Sequence, residues 1–239
     1  MTEKEEQDIL NAVFETVDYI GTLHLTGGGE PFLHPHLARM IECAMGYEKQ
    51  FDRLMLFTNC TVPVPDHLMN VLRRFSDKLL VQVSQYGQFP DREQEILRSL
   101  LDNDIPCKVV KYFGDDQDFG GWVDFGPWTA QGCSAANLET RFRTCAVTDV
   151  MHGNWRTRDG KVHWCSRSQR GMELGLIPDD PEDYVDLFET ATREEKQQKF
   201  AQIAAKKYLS ACDFCSGDQG TSDPGKRHQA AEQMERGHK

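Results

Sequence analysis

The chain has 239 residues, a formal net charge of -11, 27% charged and 39% hydrophobic residues. This suits a folded domain with a smaller appendage and argues against disorder, while the acidic balance argues against a nucleic-acid partner. No apolar run approaches the ~20 residues of a membrane span, and the hydrophilic opening Met1-Thr2-Glu3-Lys4-Glu5-Glu6 resembles neither a secretory signal nor a transit peptide.

A cytoplasmic protein without a membrane partner is the expectation. Its eight cysteines then read as core thiols, metal ligands or catalytic groups rather than a disulfide framework.

Ile9, Leu10, Val13, Phe14 and Val17 form a helical stripe, followed by a β-like run from Tyr19 to Thr26 that ends in Gly27-Gly28-Gly29. Leu37, Met40, Ile41 and Ala44 share one face of a second helix, and Arg53 to Thr58 reads as a strand. Asp66 reads as the cap of a helix carrying Leu68, Val71, Leu72 and Phe75. A strand over Leu79 to Ser84 follows. Asp91 and Gln94 suggest a capping box for the helix bearing Ile96, Leu97, Leu100 and Leu101, and Cys107 to Tyr112 is strand-like again. Strands alternating with helices through short loops imply βαβ units and a parallel sheet, either doubly wound or a (β/α) barrel. Ligands sit at the C-terminal strand ends in both.

Residues 114–144 lack clear periodicity and read as an irregular connection. His152 to Cys165 reads as a hairpin turning at Asp159-Gly160, then two helices are expected over Pro181 to Glu189 and Arg193 to Leu209. Residues 216–239 are polar and glycine-rich, as in disordered tails.

Two constellations carry chemistry. Gly27-Gly28-Gly29-Glu30-Pro31 closes a strand; glycines there allow close backbone approach and positive φ, and a following carboxylate can pair with an ammonium group. The spacing is not G-x-G-x-x-G, so it is no dinucleotide fingerprint. The second is Cys145, then Gly160 and Cys165, then Cys212-Asp213-Phe214-Cys215. A C-x-x-C pair plus two hairpin cysteines makes a four-sulfur ligand set, for which spacing alone does not separate structural zinc from a 4Fe-4S cluster. Cys43, Cys107 and Cys133 read as packing thiols, and Cys60 as a small packing residue. His34 and His36 read as helix-start residues, and Trp122, Trp128 and Trp155 as local core.

In this order the two constellations resemble the radical S-adenosylmethionine (SAM) superfamily. Leu25 to Pro35, with Gly28-Gly29-Glu30-Pro31, is similar to its second-strand motif, which by resemblance contacts the methionyl amino group of SAM. Thr58-Asn59-Cys60-Thr61 resembles the Thr-Asn-Gly-Thr turn after the third strand. Val83-Ser84-Gln85-Tyr86-Gly87 is similar to the fourth-strand segment, with Ser84 near the ribose or carboxylate. Cys145, Gly160, Cys165, the stretch Asp183 to Leu187, and Cys212/Cys215 resemble a SPASM/twitch extension, which binds auxiliary 4Fe-4S clusters.

The resemblance implies a truncated radical SAM (β/α) core over 1–112, a partial TIM-like barrel with parallel strands. A linker over 113–144, a small α+β cluster-binding extension over 145–217 and a tail over 218–239 complete it. SAM would contact Gly28, Gly29, Glu30, Pro31, Asn59 and Ser84. One auxiliary cluster would sit on Cys145, Cys165, Cys212 and Cys215. The family reaction forms a 5′-deoxyadenosyl radical and draws on a reductant such as a flavodoxin or ferredoxin; the substrate class, whether peptide, protein or small molecule, stays open. The sequence has no Cys-x-x-x-Cys-x-x-Cys, so the chain as written is expected to be an inactive, N-terminally truncated form with no assignable catalytic residue. The competing reading is a non-catalytic scaffold with a structural zinc or iron–sulfur site.

Overall fold

The computed structural model describes residues 1–26, 28–118, 122–149, 154–217 and 227–228. Gly27, the first residues of the expected hairpin (152–153) and, apart from 227–228, the expected tail lie outside the described residues. Contacts divide the chain into two units. The first holds the described residues of Met1–Leu10 and Asp18–Trp122 with His228, and the second those of Asn11–Val17 and Val123–Arg227.

α1 (Glu3–Thr16) begins in the first unit and ends in the second; the first unit continues with β1 (Ile20–Leu25), α2 (Leu37–Met45), β2 (Phe51–Thr58), α3 (Asp66–Arg74), β3 (Leu79–Gln85), α4 (Pro90–Asp102) and β4 (Cys107–Lys111). The four strands form one parallel sheet in the order β1-β2-β3-β4, with Leu25 opposite Leu56 and Thr58 opposite Val83. Every crossover steps in the same direction. Right-handed units then set α2, α3 and α4 on one face, and α2 packs on α3. A doubly wound sheet needs a reversal of strand order, which is absent from these four strands.

Alternation explains which face is covered. Leu54, Leu56, Val81 and Val83 are 0% exposed, whereas Arg53 just ahead of Leu54 is exposed and Met55 between the two leucines is half-buried. Each buried aliphatic contributes about 1.5–3 kcal/mol. Leu37, Met40, Ile41 and Ala44, spaced to share a helix face, are buried as the stripe predicts.

Two helix starts differ from expectation. α3 has Pro65 at its N-cap with no side-chain bond, and Asp66 is its first residue. α4 begins at Pro90, with no side-chain cap from Phe89. In place of a capping box, buried Glu93 accepts the backbone N–H groups of Tyr86, Gly87 and Phe89. The acid thereby satisfies the loop after β3, a stronger demand than capping.

Beyond the short β5 (Trp122–Val123), the second unit contains α5 (Ala135–Arg143), α6 (Ala146–Asp149), β6 (Arg156–Arg158), β7 (Lys161–His163), α7 (Ser166–Glu173), β8 (Tyr184–Asp186) and α8 (Arg193–Ala204); β9 is Arg227–His228. β6 and β7 pair antiparallel through Asp159 and Gly160, at φ 50° and 79°. These are the left-handed conformations of the anticipated turn. Only glycine suits the second position, since a Cβ there would lie 2.3 Å from the Phe188 ring.

β8 replaces the helix expected over Pro181 to Glu189: a single turn, Pro181–Asp183, precedes a third strand that pairs with β7. Tyr184 and Val185 are buried on the sheet, so β-branched and aromatic packing overrides the helical reading. α5 forms where no periodicity was visible, capped by Ser134 through its bond from the Asn137 N–H. α8 opens with a capping box between Thr192 and Glu195. The core of this unit gathers Val162, Ile177, Val185, Leu187, Ile203 and Leu209. Trp155 packs edge-on against Trp164 and Phe200, with centroids 4.9 Å away in each case.

Candidate functional site

The first candidate site lies at the C-terminal ends of β1 to β4. Gly28 and Gly29 border open space, where an added Cβ would meet nothing within 4 Å, and Gly29 has φ +119°. A ligand can therefore reach this backbone. Glu30 does more than present a charge. Its Oε1 accepts the Thr58 hydroxyl at 2.8 Å and the Phe32 N–H at 3.2 Å, and its Oε2 accepts the Asn59 N–H at 2.8 Å. Three of about four carboxylate acceptor positions are thus taken, and the loop after β1 is tied to the end of β2. Pro31 opens the turn Pro31–Leu33 directly after this anchor.

Asn59 joins the site through its backbone. Its side-chain oxygen is occupied by the Thr61 N–H at 3.0 Å and hydroxyl at 2.6 Å, a local turn. Cys60 sits at φ 53°, fully buried, in the left-handed region that favours glycine. Burial and then the Glu30 charge push its thiol up to about 12, so it is no nucleophile at neutral pH. Ser84 is 8% exposed and shares hydrogen bonds with the phenols of Tyr86 and Tyr112. Those two rings stack at 5.3 Å. Burial raises both phenol pKa values, and the Glu30 charge adds to the effect on Tyr86. The tyrosine pair was missed in the sequence, where Tyr86 read only as part of a motif.

The helix-start histidines contact each other and the N-terminal segment. His36 Nδ1 lies 3.0 Å from Glu3, and His34 Nδ1 accepts the His36 N–H at 3.2 Å.

The second candidate site belongs wholly to the second unit. Cys145, Cys165, Cys212 and Cys215 line one cavity, walled otherwise by apolar groups such as Phe142, Val147 and Trp164 and by Arg141 and Arg167. Cys145 follows α5, Cys165 caps α7, and the C-x-x-C pair lies on the turn Ser210–Phe214 and the residue after it. The thiols are close enough to influence one another: Cys165, Cys212 and Cys215 are raised chiefly by burial and further by neighbouring cysteines, Cys165 to about 11 and Cys212 to about 12. Among the described residues no three His, Cys, Asp or Glu groups are spaced to hold one metal ion.

The donor set itself is soft. It offers thiols without carboxylate or imidazole, and N–H groups aim at the sulfurs: Ser168 N–H at 3.3 Å from Cys165 Sγ and Gly217 N–H at 3.2 Å from Cys215 Sγ. That donor chemistry suits a structural zinc and an iron–sulfur group alike.

The C-x-x-C turn is clamped from several sides. Arg141 donates to the Cys212 carbonyl at 2.8 Å and to the Cys215 carbonyl, and Arg167 Nε donates to the Phe214 carbonyl at 3.0 Å. Arg167 also stacks 3.7 Å over Trp128. Asp213 accepts the Gly132 and Cys133 N–H groups at 3.2 and 2.8 Å, held below the usual carboxylate range chiefly by the latter. Upstream, fully buried Asp183 accepts Lys206 Nζ at 2.7 Å and both the N–H and hydroxyl of Ser210 at 2.6 Å.

Comparison with protein-family models and with curated proteins finds no match to this chain. The site therefore stands on its own geometry.

Three residues central to that geometry were missed in the sequence: Arg141, Arg167 and Trp164. The only available signal was the clustering of arginines and aromatics near the cysteines. Trp128 and Trp155 pack against the core of the second unit, as read; the Trp122 side chain lies outside the described residues. Cys133 is half-buried, its sulfur 3.3 Å from Arg141. Among the described residues no helix is long and apolar enough to cross a membrane.

Proposed function

We propose that this chain is an iron–sulfur protein of the radical SAM type. In this reading the second unit carries one 4Fe-4S cluster on Cys145, Cys165, Cys212 and Cys215. The first unit is part of a (β/α) barrel that takes SAM at its strand ends. One observation carries the reading: four cysteines from three separated stretches line a single, mainly apolar cavity.

When bound, such a cluster supplies one-electron transfer or an anchoring metal site. The chain's own residues do the rest. Arg141, Arg167 and Asp183 fix the turn before any metal arrives, and the apolar wall excludes water. Glu30 organises the loop whose glycine backbone would receive the methionyl end of SAM, keeping one acceptor position for an ammonium group. Asn59 contributes its backbone, while Ser84 and the stacked tyrosines line the far strands.

Anaerobic reconstitution with ferrous iron and sulfide tests the proposal directly. A brown protein with about four irons and four sulfides per chain is expected, and Cys212→Ser with Cys215→Ser is expected to abolish uptake. Stoichiometric zinc with no sulfide would overturn it. Since the sequence lacks Cys-x-x-x-Cys-x-x-Cys, the purified chain with SAM and reductant is expected to yield no 5′-deoxyadenosine.

A further inference from the structure

Glu6 lies in the first turn of α1 and is buried, and neither of its carboxylate oxygens meets a hydrogen-bond donor or water. A buried carboxyl without a donor is tolerated while it keeps its proton, because the charged form forfeits hydration and receives nothing in exchange. Along Met1–Leu10, the part of α1 that belongs to the first unit, Glu6 and Leu10 are the two buried residues. They are four positions apart and so share one helix face.

Polar contacts tie this stretch to α2 and its flanks. Gln7 Nε2 donates to the Tyr47 hydroxyl at 2.8 Å, and Gln7 Oε1 accepts the Cys43 thiol at 2.9 Å. Glu3 lies 3.0 Å from His36 Nδ1, and the Met1 carbonyl 3.2 Å from His34 Nε2. All four contacts are exposed to solvent. One buried leucine and a few exposed bonds place the stretch at the weakly held end of the fold.

We propose that the first two turns of α1 are a proton-locked clasp, docked on α2 while Glu6 holds its proton and loosened when Glu6 passes that proton to solvent. Undocking hydrates the carboxylate and breaks no strand pairing, since α1 contributes nothing to the sheet. The titratable groups facing these turns are Glu3 on α1 itself, Cys43 on α2, Tyr47 after it, and His34 and His36 before it. Glu3 acts on Glu6 as a like charge, and with burial as the larger cause pushes it up to about 8. Cys43, raised to about 11 chiefly by burial, stays neutral throughout that range. The undocked acid returns to its ordinary value near 4.5, so docking is complete below that pH and is lost as pH rises through about 8. Between those limits opening should be favoured about tenfold more for each pH unit. The clasp is independent of what fills the four-cysteine cavity.

Hydrogen exchange of the full chain from pH 5 to pH 8, corrected for the intrinsic rate at each pH, tests the proposal. The amides of Gln7 to Leu10 report the clasp, and those of Leu54 to Leu56 in β2 report the whole fold. In the parent, protection of the first set should fall by roughly a hundredfold or more across that range and stay well below that of β2. In Glu6→Gln, which cannot ionise, it should stay flat. Equal slopes in the two proteins would overturn the clasp. Exchange of Gln7 to Leu10 only in step with β2 would overturn it too, since Glu6 would then ionise only on global unfolding. Should Glu6→Gln fold poorly, the parent decides alone: protection that does not change with pH means that α1 does not open to release this proton.

Discussion

Glu6 is 2% exposed, and neither carboxylate oxygen has a hydrogen-bond partner. Burial, and then the nearby Glu3 charge, push it up to about 8, so it is neutral in the folded protein at pH 7. Its contribution to stability is complete below the ordinary carboxylate value near 4.5 and is lost as pH rises through about 8. Glu6→Gln should therefore match the parent at pH 5 and exceed it by a few kcal/mol, roughly 2–4, at pH 9. Thermal melts from pH 5 to 9 check this; parallel curves would show that Glu6 ionises freely. Cys60 offers a second residue-scale test. Its left-handed φ of 53° costs roughly 1 kcal/mol for a residue with a Cβ, offset by the burial of its thiol. Cys60→Gly is accordingly expected to be close to neutral in urea unfolding, whereas Cys60→Val should destabilise clearly.

At the scale of elements, the segment carrying Cys212 and Cys215 is only a short 3-10 helix, Ser210–Phe214, and the residue after it, and side chains from outside brace it. Its carbonyls are taken by guanidinium groups from α5 and α7, and the chain entering it is pinned at Ser210 by Asp183. Asp183→Ala leaves Lys206 and the Ser210 N–H without their acceptor and should cost about 3 kcal/mol. It should also weaken iron retention, measured by chelator competition; destabilisation without loss of retention would separate the anchor from the metal site. The β6–β7 turn is equally specific. Gly160→Val meets both a positive φ and the Phe188 ring, and should cost more than the roughly 1 kcal/mol of an unstrained glycine replacement. The stretch Asp183 to Leu187 thus reads as motif by resemblance, and in the fold it is an anchor followed by a sheet strand.

For the whole molecule, the proposed filling of the four-cysteine cavity would couple metal uptake to protons. Cys165 and Cys212 stand at about 11 and about 12, raised first by burial, so they enter neutral conditions protonated and must release protons to bind. Apparent iron affinity should fall steadily from pH 8.5 to pH 6, and the loaded chain should melt above the metal-free one by mass action. Competition titrations across that range check the slope; a pH-independent affinity would place the metal elsewhere.

How much of this was legible in the chain follows from the range of each interaction. The periods of 3.6 and 2 along residues 1–112 announced the helices and parallel strands, because amphipathicity is written in local spacing. The Asp159-Gly160 pair likewise announced its turn, through backbone preferences of two adjacent residues. Cysteine spacing marked the four thiols, since a sulfur ligand set is recognisable by residue type. Only the folded chain decided that the sheet steps one way without reversal, that Asp183 leads into a strand, and that Glu30 braces Asn59. The same holds for Arg141, which reaches carbonyls 71 and 74 positions away. Such partners meet through chain reversal and packing, which no local pattern encodes, so the cysteines were visible in sequence while the clamps were not.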